Sequence, residues 1–231
     1  VLITPRKMVE DQRNEMLLSF QIFPKLPGHK YTHGHALILS GPPGHGGAAR
    51  LSARGALRIG AGLVTVGCPP DAIPENAARL DAVMLRPVHD ADALARVLED
   101  KRINALCLGP GLGTGEREAG LVAAALAQQR PTVLDADALT IIARDASLFA
   151  ALHEGCVLTP HGGEFARLFP DIAAKLAEPA TKGPAYSKVD AARAADVRAG
   201  CTVLLEGPDR MITHPSERSA RSCPHSNRAA R

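Results

Sequence analysis

Four loops carry residue types and spacings that suit contact with a charged or flat ligand. The first is Gly41-Pro42-Pro43-Gly44-His45-Gly46-Gly47-Ala48-Ala49, just ahead of a helical pattern. Its glycines allow close backbone approach, and the helix start offers free N–H groups to an anion. A plain turn needs only one or two glycines, so a turn and a ligand loop both fit. No Lys-Ser/Thr follows the last glycine, and the spacing is not GxGxxG, so neither nucleotide fingerprint applies. The second loop, Gly109-Pro110-Gly111-Leu112-Gly113, permits the same close approach or simply reverses the chain. The third, Asp135-Ala136-Asp137-Ala138-Leu139, puts two carboxylates where a strand meets a helix. Such a pair can bind a metal-bridged phosphate or a ribose, but Asp137 can equally be a helix cap. Asp135, nearer the strand end, reads as the functional member. The fourth, Thr159-Pro160-His161-Gly162-Gly163-Glu164, sets a histidine at a strand tip, where it can hydrogen-bond a polar substrate or sit exposed in a turn. Glu164 suits the positive end of the helix it starts. His161 and Glu164 lack a third ligand at metal spacing, so no metal site is expected.

Two further features read more simply. Arg50, Arg54 and Arg58 recur every four residues and predict a solvated helix face rather than a phosphate-steering one. The stretch His29-Lys30-Tyr31-Thr32-His33-Gly34 reads as a polar lead-in to the first strand.

The elements that must position these loops alternate. Short apolar runs at 36–40, 63–67, 105–108, 132–134, 157–159 and 202–205 have strand length. Helical patterns occupy 47–59, 91–99, 116–128, 163–168 and 187–199. Buried strands alternating with helices predict an α/β fold, a mainly parallel sheet flanked by helices. Ligands of such sheets bind beyond the carboxyl ends of the strands, where these loops lie.

Composition narrows the classes. The 231 residues suit one medium domain. With 45% hydrophobic and 22% charged residues, the chain is neither disordered nor collagenous. No apolar run approaches the roughly 18–20 residues of a membrane span, so no membrane partner is expected. The net charge is +3, and residues 216–231 account for it, with Arg218, Arg221, Arg228 and Arg231 against Glu217. The remainder is neutral and has no Trp, which argues against a nucleic-acid partner. Five cysteines without a CxxC argue against zinc and disulfide frameworks and point to a reducing, cytoplasmic compartment.

Taken in order, the motifs resemble one family. The series is His29-Lys30, then Gly34-His35-Ala36-Leu37, Gly47-Ala48-Ala49-Arg50-Leu51, and Ala56-Leu57-Arg58-Ile59-Gly60-Ala61-Gly62-Leu63-Val64-Thr65-Val66. Gly109-Pro110-Gly111-Leu112-Gly113, Leu134-Asp135-Ala136-Asp137-Ala138-Leu139 and Leu158-Thr159-Pro160-His161, with Gly163-Glu164-Phe165, complete it. This order resembles the ADP/ATP-dependent (S)-NAD(P)H-hydrate dehydratases, the carbohydrate-kinase-like YjeF C-terminal domain, from about His29 to Ile212.

The resemblance implies a ribokinase-like fold and a repair lyase that removes water from hydrated NAD(P)H at the expense of ADP or ATP, with Mg²⁺. The implied chemistry is phosphoryl transfer to the ring hydroxyl followed by loss of phosphate, which needs positioning, charge neutralisation and a base. By resemblance, Ala48, Gly111 and His161 contact the hydrated dinucleotide, NAD(P)HX. Asp135, Asp137 and Glu164 line the same cleft, and Glu206 and Gly207 fall where the nucleotide is held. A functional link to an NAD(P)HX epimerase is also implied.

Two departures stand out. The family has Lys-Gly where this chain has Glu206-Gly207. One such unit charge beside a phosphate at ~4 Å is worth roughly 4 kcal/mol at an effective dielectric of ~20. The family's Gly-(Ser/Thr)-Gly-Asp motif, whose Asp is the base, is absent, so no catalytic residue is visible and weak or no activity is expected. The expected organisation is 1–27 as a linker or upstream remnant, 28–215 as the dehydratase domain lacking its C-terminal part, and 216–231 as a divergent, disordered basic tail from a shifted frame or degenerate gene. Sheet edges exposed by the missing part would favour a homo-oligomer. A small-alcohol kinase of the same superfamily and a non-catalytic nucleotide-binding remnant are the alternatives.

Overall fold

A nine-stranded sheet runs in the order β3-β2-β1-β4-β5-β6-β7-β8-β9 in the computed structural model, which describes residues 30–179, 186–207, 210–213 and 221–223. The strands are β1 (His35–Leu39), β2 (Leu63–Cys68), β3 (Met84–Pro87), β4 (Ala105–Leu108), β5 (Thr132–Leu134), β6 (Cys156–Leu158), β7 (Thr202–Leu205), β8 (Arg210–Thr213) and β9 (Arg221–Cys223). Strands β1 to β7 are parallel, and β8 and β9 join antiparallel. The helices are α1 (Gly47–Arg58), α2 (Ile73–Ala77), α3 (Ala91–Val97), α4 (Glu116–Leu126), α5 (Ala136–Arg144), α6 (Ala146–Ala150), α7 (Gly162–Leu168), α8 (Pro170–Ala177) and α9 (Lys188–Ala199). None is long and apolar enough to cross a membrane among the described residues.

Side chains alternate across the sheet, so each face has its own core. Leu37 and Leu39 of β1 pack with Leu106, Leu108, Leu134 and Leu158 on one face. Ile38 joins Val64, Val66, Ala49 and Ala53 on the other. Ala49 and Ala53 lie one turn apart on α1 and are buried, and their small side chains let α1 sit close to the sheet. The free edge strand β3 has four residues and includes Arg86 and Pro87, features that deter edge-to-edge pairing.

The strand order sets the position of the site. The chain leaves β1 in one direction through β2 and β3. It then returns to the other flank of β1 with β4 and continues outward to β7. The loops after β1 and β4 therefore leave the sheet at the switch in strand order, at the carboxyl ends of these strands, where open α/β sheets bind their ligands.

The six expected strands and five expected helices occur, with ends shifted by up to two residues. Strand β3 was not expected: Met84-Leu85-Arg86-Pro87 carries a charge and a proline and is half-exposed, so it lacks a buried apolar run. In the segment expected to be a disordered tail, Arg221–Cys223 pairs with β8, because β8 offers a free ladder edge. Residues 1–27, expected as a linker or upstream remnant, lie outside the described residues. The polar lead-in forms a 3₁₀ turn, Lys30–His33. The expected solvated arginine face is corrected at Arg50, which is drawn inward to Glu75 and Asn76.

Candidate active site

The loops after β1, β4, β5, β6 and β7 form one contiguous rim. The first two touch backbone to backbone. A Cβ on Gly41 would lie 1.8 Å from the Gly111 carbonyl oxygen, and one on Gly111 would lie 2.5 Å from the His45 oxygen. Glycine is required at both positions, and Gly111 also has a φ of +67°. The glycines therefore serve close packing between two loops, a reason the sequence alone does not show.

The loop after β4 is tied in turn to the one after β5. The Asp135 amide donates to the Leu108 carbonyl at 3.1 Å. The Gly113 amide donates to Asp137 Oδ2 at 2.9 Å. The sequence left Asp137 open between a helix cap and a ligand contact, and read Asp135 as the functional member. The cap is Asp135, the N-cap of α5, whose Oδ1 accepts from the Ala136 amide, while Asp137 reaches across to the neighbouring loop. Between them Ala136 has a φ of +45°, a left-handed conformation that costs an L-residue about 1–2 kcal/mol. That strain lies between the two carboxylates of the rim.

At the tip of β6, His161 and Glu164 form a reciprocal cap on α7. His161 Nδ1 accepts the Gly163 amide at 3.0 Å, and Glu164 Oε2 accepts the His161 amide at 3.0 Å. An accepting Nδ1 places the ring proton on Nε2, which faces Glu164 Oε1 at 3.3 Å. Glu164 is only 6% exposed, whereas the His161 ring stays open to solvent. The pair is thus a structural clamp with one exposed imidazole. Among the described residues no three carboxylates, histidines or cysteines cluster to hold a metal.

After β7, the Glu206 amide donates to the Pro160 carbonyl at 2.9 Å and ties this turn to the His161 loop. A cleft of about 500 Å³ opens beside it, lined by Phe165, Leu176, Lys188, Leu205, Glu206 and Gly207. Glu206 is exposed. Lys188, at the start of α9, brings an ammonium to the cleft that carries the unexpected carboxylate.

On the first loop, Ala48 is exposed one residue inside α1, whose N-cap Gly46 makes no side-chain cap. Its neighbourhood is braced by a residue that sequence reading missed. Glu75 Oε2 accepts the Gly44 amide at 2.7 Å, and Oε1 accepts Arg50 Nη1 at 2.9 Å. The Gly44 amide, and then Arg50, hold the Glu75 carboxyl below its usual range. No spacing in Pro74-Glu75-Asn76 signals this, because the contact spans 31 residues.

Comparison with known proteins agrees with the geometry. A family model described as NAD(P)H-hydrate dehydratase matches residues 36–231. The ADP-dependent (S)-NAD(P)H-hydrate dehydratase of Neisseria meningitidis is 34% identical over 222 residues, 89% of this chain and 68% of that protein. A bifunctional NAD(P)H-hydrate repair enzyme of Coxiella burnetii is 38% identical over 64% of this chain, which spans 30% of that enzyme. Among solved structures, a ribokinase-like superfamily protein of Enterococcus faecalis matches with a TM-score of 0.70 at 23% identity, covering 85% of this chain and 64% of that one. The ADP/ATP-dependent NAD(P)H-hydrate dehydratase of Bacillus subtilis, co-crystallised with ATP/Mg²⁺, matches at 0.62 and 24%, covering 85% and 68%. These two likenesses establish the ribokinase-like fold. The family match over most of the chain and the Neisseria relative together establish descent: the chain belongs to the NAD(P)H-hydrate dehydratase family.

Proposed function

We propose that the chain holds (S)-NAD(P)HX on the rim where the loops after β1 and β4 meet and serves its nucleotide-dependent dehydration to NAD(P)H. The supporting observation is the contiguous rim, in which Gly41 and Gly111 touch and Asp137 closes the second loop, on a chain of this family. In this reading Ala48 and Gly111 offer backbone to the dinucleotide, and the exposed face of the His161 ring, held by Gly163 and Glu164, packs against it. Asp135, Asp137 and Glu164 hold those contacts in place. Residues 28–215 carry this machinery.

ADP or ATP would lie toward Glu206 and Gly207, with its base against Phe165 and Leu176 and a phosphate near Lys188. The apolar lining fits a base. Mg²⁺ commonly keeps several waters and binds through substrate phosphates with one or two carboxylates. Asp135 or Asp137, the two carboxylates of the rim, would supply the protein ligand. When bound, the ion would neutralise phosphate charge.

The missing Gly-(Ser/Thr)-Gly-Asp motif removes the base that would take the ring hydroxyl's proton. Loss of a general base costs ~10²–10⁴-fold in rate. The 231-residue chain should therefore bind better than it turns over. An (S)-selective site also leaves the other epimer unused, which is the chemical reason for a functional link to an epimerase. The test is a titration of the folded chain with (S)-NADHX in parallel with a turnover assay. Saturable binding supports the reading, and folded protein that fails to bind overturns it.

A further inference from the structure

A second cleft of about 640 Å³ lies away from the loop rim, beside α3 on the β1–β3 part of the sheet. None of its lining residues belongs to the loops described above. Its floor is polar where the same face of β1 otherwise carries Leu37 and Leu39. His35 is 5% exposed and Thr65 2%, and His35 Nε2 lies 2.8 Å from Thr65 Oγ1. His35 Nδ1 is buried with no hydrogen-bond partner. Buried polar atoms are nearly always paired, so an orphan beside an open cleft points to a missing partner.

The walls are apolar, from Ala93, Val97 and Ile103, and the rim is cationic. Arg102 is committed: it makes a bidentate pair with Asp100 and donates to Tyr31 Oη at 3.0 Å. Arg86 of β3 and Arg96 of α3 are exposed, and neither forms an ion pair among the described residues. Among the described residues Asp100 is the only carboxylate lining the cleft, and Arg102 offsets it. Two uncommitted guanidiniums thus face an apolar bowl with a polar floor. Planar guanidinium forks match phosphate oxygens, and the bowl leaves room for an organic body.

We propose that this cleft binds a small organic phosphate, gripped by Arg86 and Arg96, at a site separate from the loop rim. The test is calorimetric titration of the full 231-residue chain with glycerol 3-phosphate, with inorganic phosphate and glycerol as the partial probes. The expected result is saturable binding of glycerol 3-phosphate, weaker binding of inorganic phosphate and none of glycerol. Affinity should fall at least tenfold in the Arg86→Ala/Arg96→Ala double variant and less in Arg86→Lys/Arg96→Lys, which keeps the charge without the planar fork. Saturating NADH should leave it unchanged. Both positions are exposed, so circular dichroism should show both variants folded. Absence of saturable binding, equal affinity in the alanine double variant, or displacement by NADH would each overturn the proposal.

Discussion

Gly113 donates its amide to Asp137 Oδ2 at 2.9 Å, so a carboxylate from the first turn of α5 fixes the loop that follows β4. This bond joins the loops after β4 and β5, next to the switch in strand order between β1 and β4. Asp137→Ala leaves the Gly113 amide without its acceptor. The expected loss is about 1–2 kcal/mol of stability, at the lower end for a bond to a charged group because the site is partly exposed. NADH affinity should weaken with it. Asp137→Asn keeps an oxygen acceptor and should cost less. Urea unfolding and NADH titration of both variants check the order.

The glycines of the first loop should differ sharply in tolerance. Gly41→Ala drives a Cβ into the Gly111 carbonyl oxygen and must push the two loops apart. It should cost about 1–3 kcal/mol, as overpacking does, and abolish dinucleotide binding. Gly47→Ala meets nothing within 4 Å and begins α1, so it should be neutral or slightly stabilising. Comparable losses in thermal stability for both would contradict the loop contact.

Ala136→Gly removes the penalty of a left-handed alanine at φ +45° but adds chain entropy. The balance favours the variant by up to about 1 kcal/mol. If the strained turn holds the two carboxylates for binding, the same variant should bind NADH more weakly. Stability and affinity would then move in opposite directions, which calorimetry can read.

Burial lowers the pKa of His35 below its ordinary value of 6.5, because the charged ring is poorly solvated there. A lowered folded pKa means that the unfolded chain takes up the proton first. Its contribution to stability is therefore complete above about pH 6.5 and is lost as pH falls through the lower folded value. Melting temperatures between pH 5 and 8 should decline on the acid side, and His35→Gln should flatten that decline. An unchanged slope in the variant would show that another group is responsible.

Much of the fold was legible because its strands are short, apolar and buried on both faces, so the alternation with helices stands out. Strand β3 was not legible, since half-exposed Met84 and Arg86 give no such signal. The four loops were legible from their glycines and carboxylates, but their mutual contacts were not. Which of Asp135 and Asp137 caps the helix was not legible, because one bonds locally while the other bonds 24 residues away. Glu75 was invisible for the same reason: its value lies in reaching Gly44, and nothing local marks it. Arg50 looked like a surface residue by period, and only α2 packed alongside shows why it turns inward.

The most direct measurement is NADH formation by the folded 231-residue chain from (S)-NADHX with Mg²⁺ and ADP or ATP, followed by absorbance at saturating substrate. The predicted turnover is at least ~10²-fold below that of a family member with an intact Gly-(Ser/Thr)-Gly-Asp motif, the cost of an absent base. Turnover equal to that member's would contradict the account, because another carboxylate of this chain would then be taking the proton.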